Sequence, residues 1–374
     1  MEISIVMYAK ILTANIKLKE KIKKIISYFR RYRGAQKAWH KRHERVLNRN
    51  KDYRKRCDRK IELEHKKLWS SFHPKFDLST LRIAANISGK ADPRIVPEEI
   101  FVADIEPNLT DLSVSLLSHK SFYNRWYPVG NFPADLLHII DGHWYDSNFN
   151  RLEFKQFLDN AAQISYPVAV KPNSSSYGGN GIYFAKDVDE LKSYCHNKDN
   201  CIIQEKVEQH PFFASFHPSS LNTIRVYLYR SVKDHRLHIL SMDLTVGRSG
   251  LNVNNETAGG IYSGITDEGY LVGYAVDKYG TRYERHPDTG ETFDKAIPDI
   301  EGLKSFSLAV GEKILPITVI GLDLFYDKAG QWRMMEINTQ SHSIRSAQYF
   351  GKPFFGEFTD EVIAYCQKNH WTLR

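Results

Sequence analysis

Ser165–Phe184 reads SYPVAVKPNSSSYGGNGIYF, and the architecture turns on what its two ends and its middle do. Pro167–Val170 is short and apolar, which predicts a buried strand, and Ile182–Phe184 supplies its return partner. Lys171 stands at the end of the first strand. Behind it come Ser174, Ser175 and Ser176, then Gly178, Gly179 and Gly181. Glycines without Cβ atoms let backbone N–H groups approach a ligand, and a run of such donors beside an ammonium suits a phosphate. A flexible surface hairpin has the same composition, so the loop alone leaves both readings standing. In a P-loop the lysine follows the glycines; here it precedes them, which disfavours a P-loop NTPase.

Downstream, Cys201–Val207 (CIIQEKV) reads as a strand turning polar at Gln204, Glu205 and Lys206, just ahead of Glu208 and His210. Thr223–Ser231 alternates cleanly and predicts a strand carrying Arg225, with Leu237–Val246 as its antiparallel neighbour across a KDH turn. A second glycine-rich segment, Thr257–Gly264, holds Gly259 and Gly260; the loop HPDTGETF starts at His286, and Gly302–Leu315 reads as a helix. Upstream, Leu152–Ala162 reads as a helix. Leu109–Tyr127 contains another, with Asp111 near its start and Lys120 inside it.

Val319–Tyr326, the turn DKAG and Gln331–Asn338 form a predicted β-hairpin. With the turn centred on Lys328–Ala329, residue 323 pairs with residue 334 and Asp323 lies diagonal to Glu336, on the face shared with Asn338. A one-residue bulge would change that register. Ile320, Leu322, Leu324, Met335 and Ile337 make the surroundings apolar, so acids here are out of place on a merely solvated face. Two carboxylates and an amide oxygen suit Mg²⁺, which combines few protein ligands with substrate phosphates.

The 374-residue chain is 42% hydrophobic and 26% charged, an ordinary globular composition. It has no run of 18 or more apolar residues. Its four cysteines form no CxxC pair, and the start shows no secretory pattern, so a reducing cytoplasmic setting is expected. The net charge of +8 is unevenly spread: residues 1–75 hold 23 Lys and Arg against 7 Asp and Glu, and the remainder is net acidic. Within 1–33, Ile11, Ile16, Leu18, Ile22, Ile25, Ile26 and Phe29 recur at near-helical spacing among lysines and arginines, and Arg42–Lys67 continues as a second charged helix. Such an arm suits either the inner, anionic face of a plasma membrane or docking on the protein's own body. It carries no groove-reading motif, and nucleic acid is not expected as a partner.

Lysine plus glycine loop, a strand ending in QEKV and an Asp…Glu-x-Asn hairpin, in that order, resemble the ATP-grasp superfamily from about Lys120 to Gln348. HPSSLNTIRV (217–226), the glycines at 259–260, HPDTG (286–290) and MEINTQ (335–340) are similar to its sugar-transfer-associated group, found among proteins of cell-surface polysaccharide assembly, capsule or O-antigen. The resemblance implies an α+β ATP-grasp fold in which two subdomains clamp ATP. The expected divisions are a basic helical arm (1–75), a leading subdomain (76–165), a central ATP-clamping subdomain (166–215) and a metal- and substrate-binding subdomain (216–374).

The resemblance also implies roles. Lys171 and Lys120 would contact nucleotide phosphates under a lid of Ser176, Gly178, Gly179 and Gly181. Gln204, Glu205, Lys206 and Val207 would form the hinge beside adenine, with Glu208 or His210 at the ribose. Asp323, Glu336 and Asn338 would hold one or two Mg²⁺, and Arg225 would face the reacting phosphate. Gly259, Gly260, His286 and Arg345 would border the substrate; Arg345 and His342 read equally well as loop residues. The implied chemistry is carboxylate–amine ligation through an acyl phosphate, on a small carboxylate and an amine or amino sugar that is free, nucleotide-linked or lipid-linked. A phosphotransferase and a non-catalytic nucleotide-sensing membrane adaptor are the alternatives.

Overall fold

Period-two apolar patterning builds two antiparallel sheets, and their placement makes the site. The computed structural model describes residues 5–110, 112–174, 181–248, 259–315 and 317–373. The first sheet has the order β3-β2-β1-β6-β4-β5, with β1 Asp135–Ile140, β2 His143–Asp146, β3 Arg151–Leu152, β4 Val168–Pro172, β5 Tyr183–Ala185 and β6 Cys201–Glu205. The predicted 167–170 and 182–184 strands are β4 and β5, paired antiparallel with Val170 opposite Tyr183. The boundary expected at residue 166 runs through this sheet, because β1–β3 pair into it. Helices Phe154–Ala161 and Val188–Cys195 cover one face, burying Phe157 and Leu191 against Val168, Val170 and Ile203.

The second sheet has the order β11-β10-β9-β8-β7-β12-β13. Its strands are β7 Thr223–Arg230, β8 Leu237–Val246, β9 Ile261–Ile265, β10 Ala275–Val276, β11 Arg282–Tyr283, β12 Val319–Tyr326 and β13 Trp332–Asn338. Its core face packs Val226, Leu228, Leu322 and Leu324 against helix Ile300–Gly311, whose cap Asp299 accepts from the Gly302 N–H. Part of the expected glycine segment 257–264 is strand: Gly259, at φ +113°, and Gly260 lead directly into β9.

Three expectations are corrected. The 109–127 helix is broken into a 3₁₀ turn Leu112–Ser118, a second at Lys120–Phe122 and one α-turn Tyr123–Trp126; Asp111 lies outside the described residues. The β12–β13 register is not the symmetric one. Leu324 faces Met334, a bulge follows, and Asp323 sits directly opposite Glu336 rather than diagonal to it. The arm is not two helices split between residues 29 and 42. It runs as α1 Ile5–Thr13, a 32-residue α2 Leu18–Arg49 and α3 Arg59–Trp69.

The arm does dock on the body. Tyr28, Tyr32, Ala35, Trp39, Val46 and Leu47 form the buried stripe of α2. The Tyr28 hydroxyl donates to Asp104 Oδ1 at 2.6 Å and lies 2.6 Å from His73 Nε2. His43 sits between Asp77 and Glu98, and although burial opposes its charge, hydrogen bonds to the two acids push it up to about 10. At the far end, Asn50 Nδ2 and Tyr53 Oη donate to the carbonyls of Tyr279 and Gly280, beside β10 and β11. Tyr28→Phe should therefore cost about 1–3 kcal/mol in urea unfolding, since it strips a donor from a fully buried carboxylate; an unchanged midpoint would mean that this hydrogen bond contributes little to stability.

Candidate active site

Lys171 and the acidic hairpin face one cleft. A cavity of about 1500 Å³ is lined by Lys171, Ala169, Ile182 and Phe184 from the first sheet and by Arg225, Asp243, Asp323 and Glu336 from the second. Lys171 Nζ lies 3.1 Å from the sulfur of Met335, the residue before Glu336. The ammonium that ends β4 and the carboxylates of β12 and β13 thus meet across the gap.

On the second sheet the charges form a row. Pairing sets Asp243 of β8 opposite Arg225 of β7, Arg225 opposite Asp323 of β12, and Asp323 opposite Glu336 of β13. Arg225 grips Asp323 with two nitrogens, Nε on Oδ1 and Nη2 on Oδ2 at 2.9 Å. Burial alone would lower the Arg225 pKa, but the Asp323 carboxylate reverses this and raises it well above normal. Asn338 Nδ2 donates to Asp323 Oδ2 at 3.1 Å, so the three expected oxygen-bearing side chains adjoin. Lys120 closes the row, donating from Nζ to Glu336 Oε1 at 2.6 Å. Its broken-helix backbone is tied to the first sheet through its own N–H on Asn173 O at 2.8 Å.

Lys171 is 7% exposed. Burial, with help from the positive charge of Lys120, lowers its pKa to about 8. Gln204 positions it, accepting from Nζ at 3.1 Å while donating to Asp135 Oδ1 at 2.8 Å. Burial in turn raises Asp135 to about 6. The sign of a pH effect follows. A phosphate beside Lys171 favours the charged ammonium, so nucleotide binding takes up a proton above pH 8. Affinity should fall by up to about tenfold per pH unit there, and Lys171→Arg should flatten the slope. Titration calorimetry in buffers of different ionisation enthalpy checks both.

The remaining expected residues divide. Glu205 spends its carboxylate on the Ala134 N–H and on Arg333 Nη2, at 3.0 and 2.6 Å, and the residue also lines the cavity. Lys206, Val207 and Glu208 also line the cavity. The Glu208 carboxylate pairs at the surface with Lys328, at 2.8 Å. His210 caps helix Pro211–Phe216 by accepting from the Phe212 N–H, and its ring lies against Tyr326.

His286 is buried. Its Nε2 lies 2.8 Å from the Gly247 carbonyl, and its Nδ1 accepts from the backbone of Asp288 and Thr289; it braces a loop. Arg345 lies over the rings of Trp39 and Tyr349. His342 is buried at the Val319 carbonyl, and burial lowers it to about 4. Gly181 is described, at φ +82°, where an added Cβ would meet the Pro172 ring at 2.9 Å. Ser176, Gly178 and Gly179 lie outside the described residues.

Sequence reasoning missed Asp243, 3% exposed and lining the cavity with Ser343 and Ser346. Its signal was available: an acid inside the apolar strand SMDLTV, in register with Arg225 once the KDH turn is fixed. Among the described residues, no group of three or more His, Cys, Asp or Glu side chains converges as a metal site. The donor set here is two carboxylates and an amide, hard oxygen ligands that fit Mg²⁺ when phosphate oxygens complete its shell.

Two α+β layers close one cleft, with a buried lysine on one and an acid-bearing hairpin on the other, the arrangement that the resemblance to ATP-grasp proteins led us to expect. Residues 188–353 match the sugar-transfer associated ATP-grasp family, and it is this group that the chain resembles. No curated protein matches the sequence. Solved structures that it resembles include N5-carboxyaminoimidazole ribonucleotide synthetase from Thermotoga maritima, at 10% identity and TM-score 0.36, covering 63% of this chain and 47% of that one. The biotin carboxylase domain of the Hydrogenobacter thermophilus 2-oxoglutarate carboxylase, solved with MgADP, is 12% identical at TM-score 0.40, covering 69% and 46%. An L-amino acid ligase from Bacillus licheniformis is 12% identical at TM-score 0.37, covering 66% and 46%. The chain thus spans about half the length of these structures.

Proposed function

We propose that the protein is an ATP- and Mg²⁺-dependent carboxylate–amine ligase of cell-surface polysaccharide or glycoconjugate assembly. The observation that carries this reading is the shared cleft: Lys171 and the Asp323–Glu336 pair line one cavity from opposite sheets. Adenine would lie between Ala169, Ile182 and Phe184 and the backbone of Glu205–Val207. The triphosphate would run from Lys171 toward Arg225. Asp323, Glu336 and Asn338 would hold Mg²⁺, which supplies charge neutralisation at the phosphates when bound. In the free protein Lys120 and Arg225 sit on those same carboxylates. Incoming phosphates would draw the two cations away from them, so neither sign of charge is left buried and unpaired.

A substrate carboxylate oxygen would attack the γ-phosphorus, ADP would leave with the electron pair of the broken P–O bond, and an acyl phosphate would form. An amine nitrogen would then attack the carbonyl carbon, expelling phosphate and losing a proton to give the amide. The protein's part is positioning and electrostatics: Lys171 and Arg225 face the charge that spreads over the transferring group. A closed cleft keeps water from the acyl phosphate. Asp243, beyond Arg225, would hold the incoming amine as its ammonium, which gives up a proton before the nitrogen attacks. Within this reading, the family's name supports the polysaccharide setting, with an amino sugar or amino acid as amine.

The test is ADP release over a panel of small acids crossed with amino acids and amino sugars, with hydroxylamine as a trap. A ligase gives hydroxamate from the acid alone and an amide when the amine is present. A stable phosphorylated product with no hydroxamate would replace the ligase by a phosphotransferase, and ATP left intact across the panel would favour a nucleotide-sensing adaptor.

A further inference from the structure

The arm has a second apolar stripe that the body does not cover. Leu18, Ile22, Ile26 and Phe29 recur at intervals of four, four and three, and so share one face of α2. They are 71%, 48%, 44% and 45% exposed. The docked stripe through Tyr28, Tyr32, Ala35 and Trp39 lies roughly 100° around the same helix. Sequence spacing left the aliphatic stripe to either a membrane surface or the protein's own body; the aromatic stripe does the packing and the aliphatic one faces outward. α1 folds back beside it: Tyr8 packs edge-on against Tyr28, Ile11 is buried, and Lys21 Nζ reaches the Leu12 carbonyl at 2.5 Å. Leu12 itself is 54% exposed.

Cations edge the outward stripe. Residues 17–37 hold nine lysines and arginines against the single acid Glu20. Lys19, Lys23, Arg30 and Arg33 are exposed, and the Arg33 guanidinium lies 5.5 Å from the Phe29 ring. No helix among the described residues is long and apolar enough to cross a membrane.

We infer that α1 and the first half of α2 form an in-plane anchor that lays Leu18, Ile22, Ile26 and Phe29 into an anionic lipid bilayer. An apolar stripe bordered by cations is what an interfacial helix presents to acidic headgroups, with the long basic side chains reaching the phosphates as the stripe enters the acyl boundary. A second copy is the weaker occupant, because pairing the stripe with itself would bring two strongly basic surfaces together. The docked stripe fixes which side of the helix meets the lipid, so the protein is held in one orientation, not tethered on a loose tail. This inference is independent of the reaction in the cleft.

Sedimentation of the full chain with vesicles tests it. Vesicles of phosphatidylcholine containing about one third phosphatidylglycerol should bind at least about tenfold more tightly than phosphatidylcholine alone, and salt should weaken the binding. Leu18→Ser, Ile22→Ser and Ile26→Ser combined should lower that affinity by at least about tenfold, with nucleotide binding and thermal midpoint unchanged because the residues are exposed. Lys19→Gln with Lys23→Gln should reduce the preference for anionic vesicles by at least about fivefold. Equal partitioning of native and triple-serine protein would overturn the inference. So would a dimer, seen by light scattering, that the serine variant alone loses.

Discussion

Glu336→Ala should leave the protein folded and unable to turn over ATP. Glu336 stands at the open end of the charge row, on β13, with its partner Lys120 supplied from a separate segment. Removing it takes one of two carboxylates from the proposed Mg²⁺ set and leaves Asp323 and Asn338, a set of lower charge that would hold the cation more weakly and less precisely. ADP release should fall by at least about a hundredfold, the usual scale for losing one preorganised charge contact to a developing anion. Nucleotide binding should lose its Mg²⁺ dependence. Stability should fall by about 1–3 kcal/mol, since Glu336 is itself partly exposed but its loss takes a carboxylate from the buried Lys120 ammonium. Retained turnover would remove Glu336 from the chemistry.

Arg225→Ala should separate binding from turnover. Arg225 lies between Asp243 and Asp323, past Glu336 from Lys171, where the reacting end of the triphosphate would sit. Without it, Asp323 keeps the Asn338 amide and gains the metal, so Mg²⁺–nucleotide affinity should hold. Turnover should fall by roughly a hundredfold or more, because the cation facing the transferring group is gone. Should Arg225 serve only as the structural partner of Asp323, affinity, turnover and thermal midpoint would fall together. Calorimetric binding beside ADP release distinguishes these outcomes.

The sequence was most legible where an acid interrupts an apolar strand. Asp323 and Glu336 stand out among Ile320, Leu322, Leu324 and Ile337, and period two puts them on one face. The bulge before Glu336 was not legible, because a register shift leaves no compositional mark; it moved the two acids from diagonal to opposite without separating them. Strands β1 and β2 were missed although DLLHII and HWYD flank Asp141–Gly142, a two-residue turn with both residues at positive φ, 51° and 74°. The 109–127 segment failed for a tertiary reason. Its apolar spacing is helical, but Lys120 must reach Glu336 while its backbone bonds Asn173, and a continuous helix would not serve both. The arm's docking was one of the two readings open from sequence, but the face that docks was not legible: it is built on Tyr28, Tyr32 and Trp39, amphipathic side chains that a hydrophobic pattern ranks below isoleucine.

The central claim is that the two sheets close on one triphosphate. A crystal structure of the full chain with Mg²⁺ and a non-hydrolysable ATP analogue tests it most directly. The phosphates should lie between Lys171 and the Asp323–Glu336 pair, with Mg²⁺ on the hairpin side, the purine against Glu205–Val207, and Lys120 moved off Glu336 onto phosphate. A nucleotide found elsewhere, or one in the cleft with Lys120 and Arg225 still paired to their carboxylates and no metal between, would contradict the account.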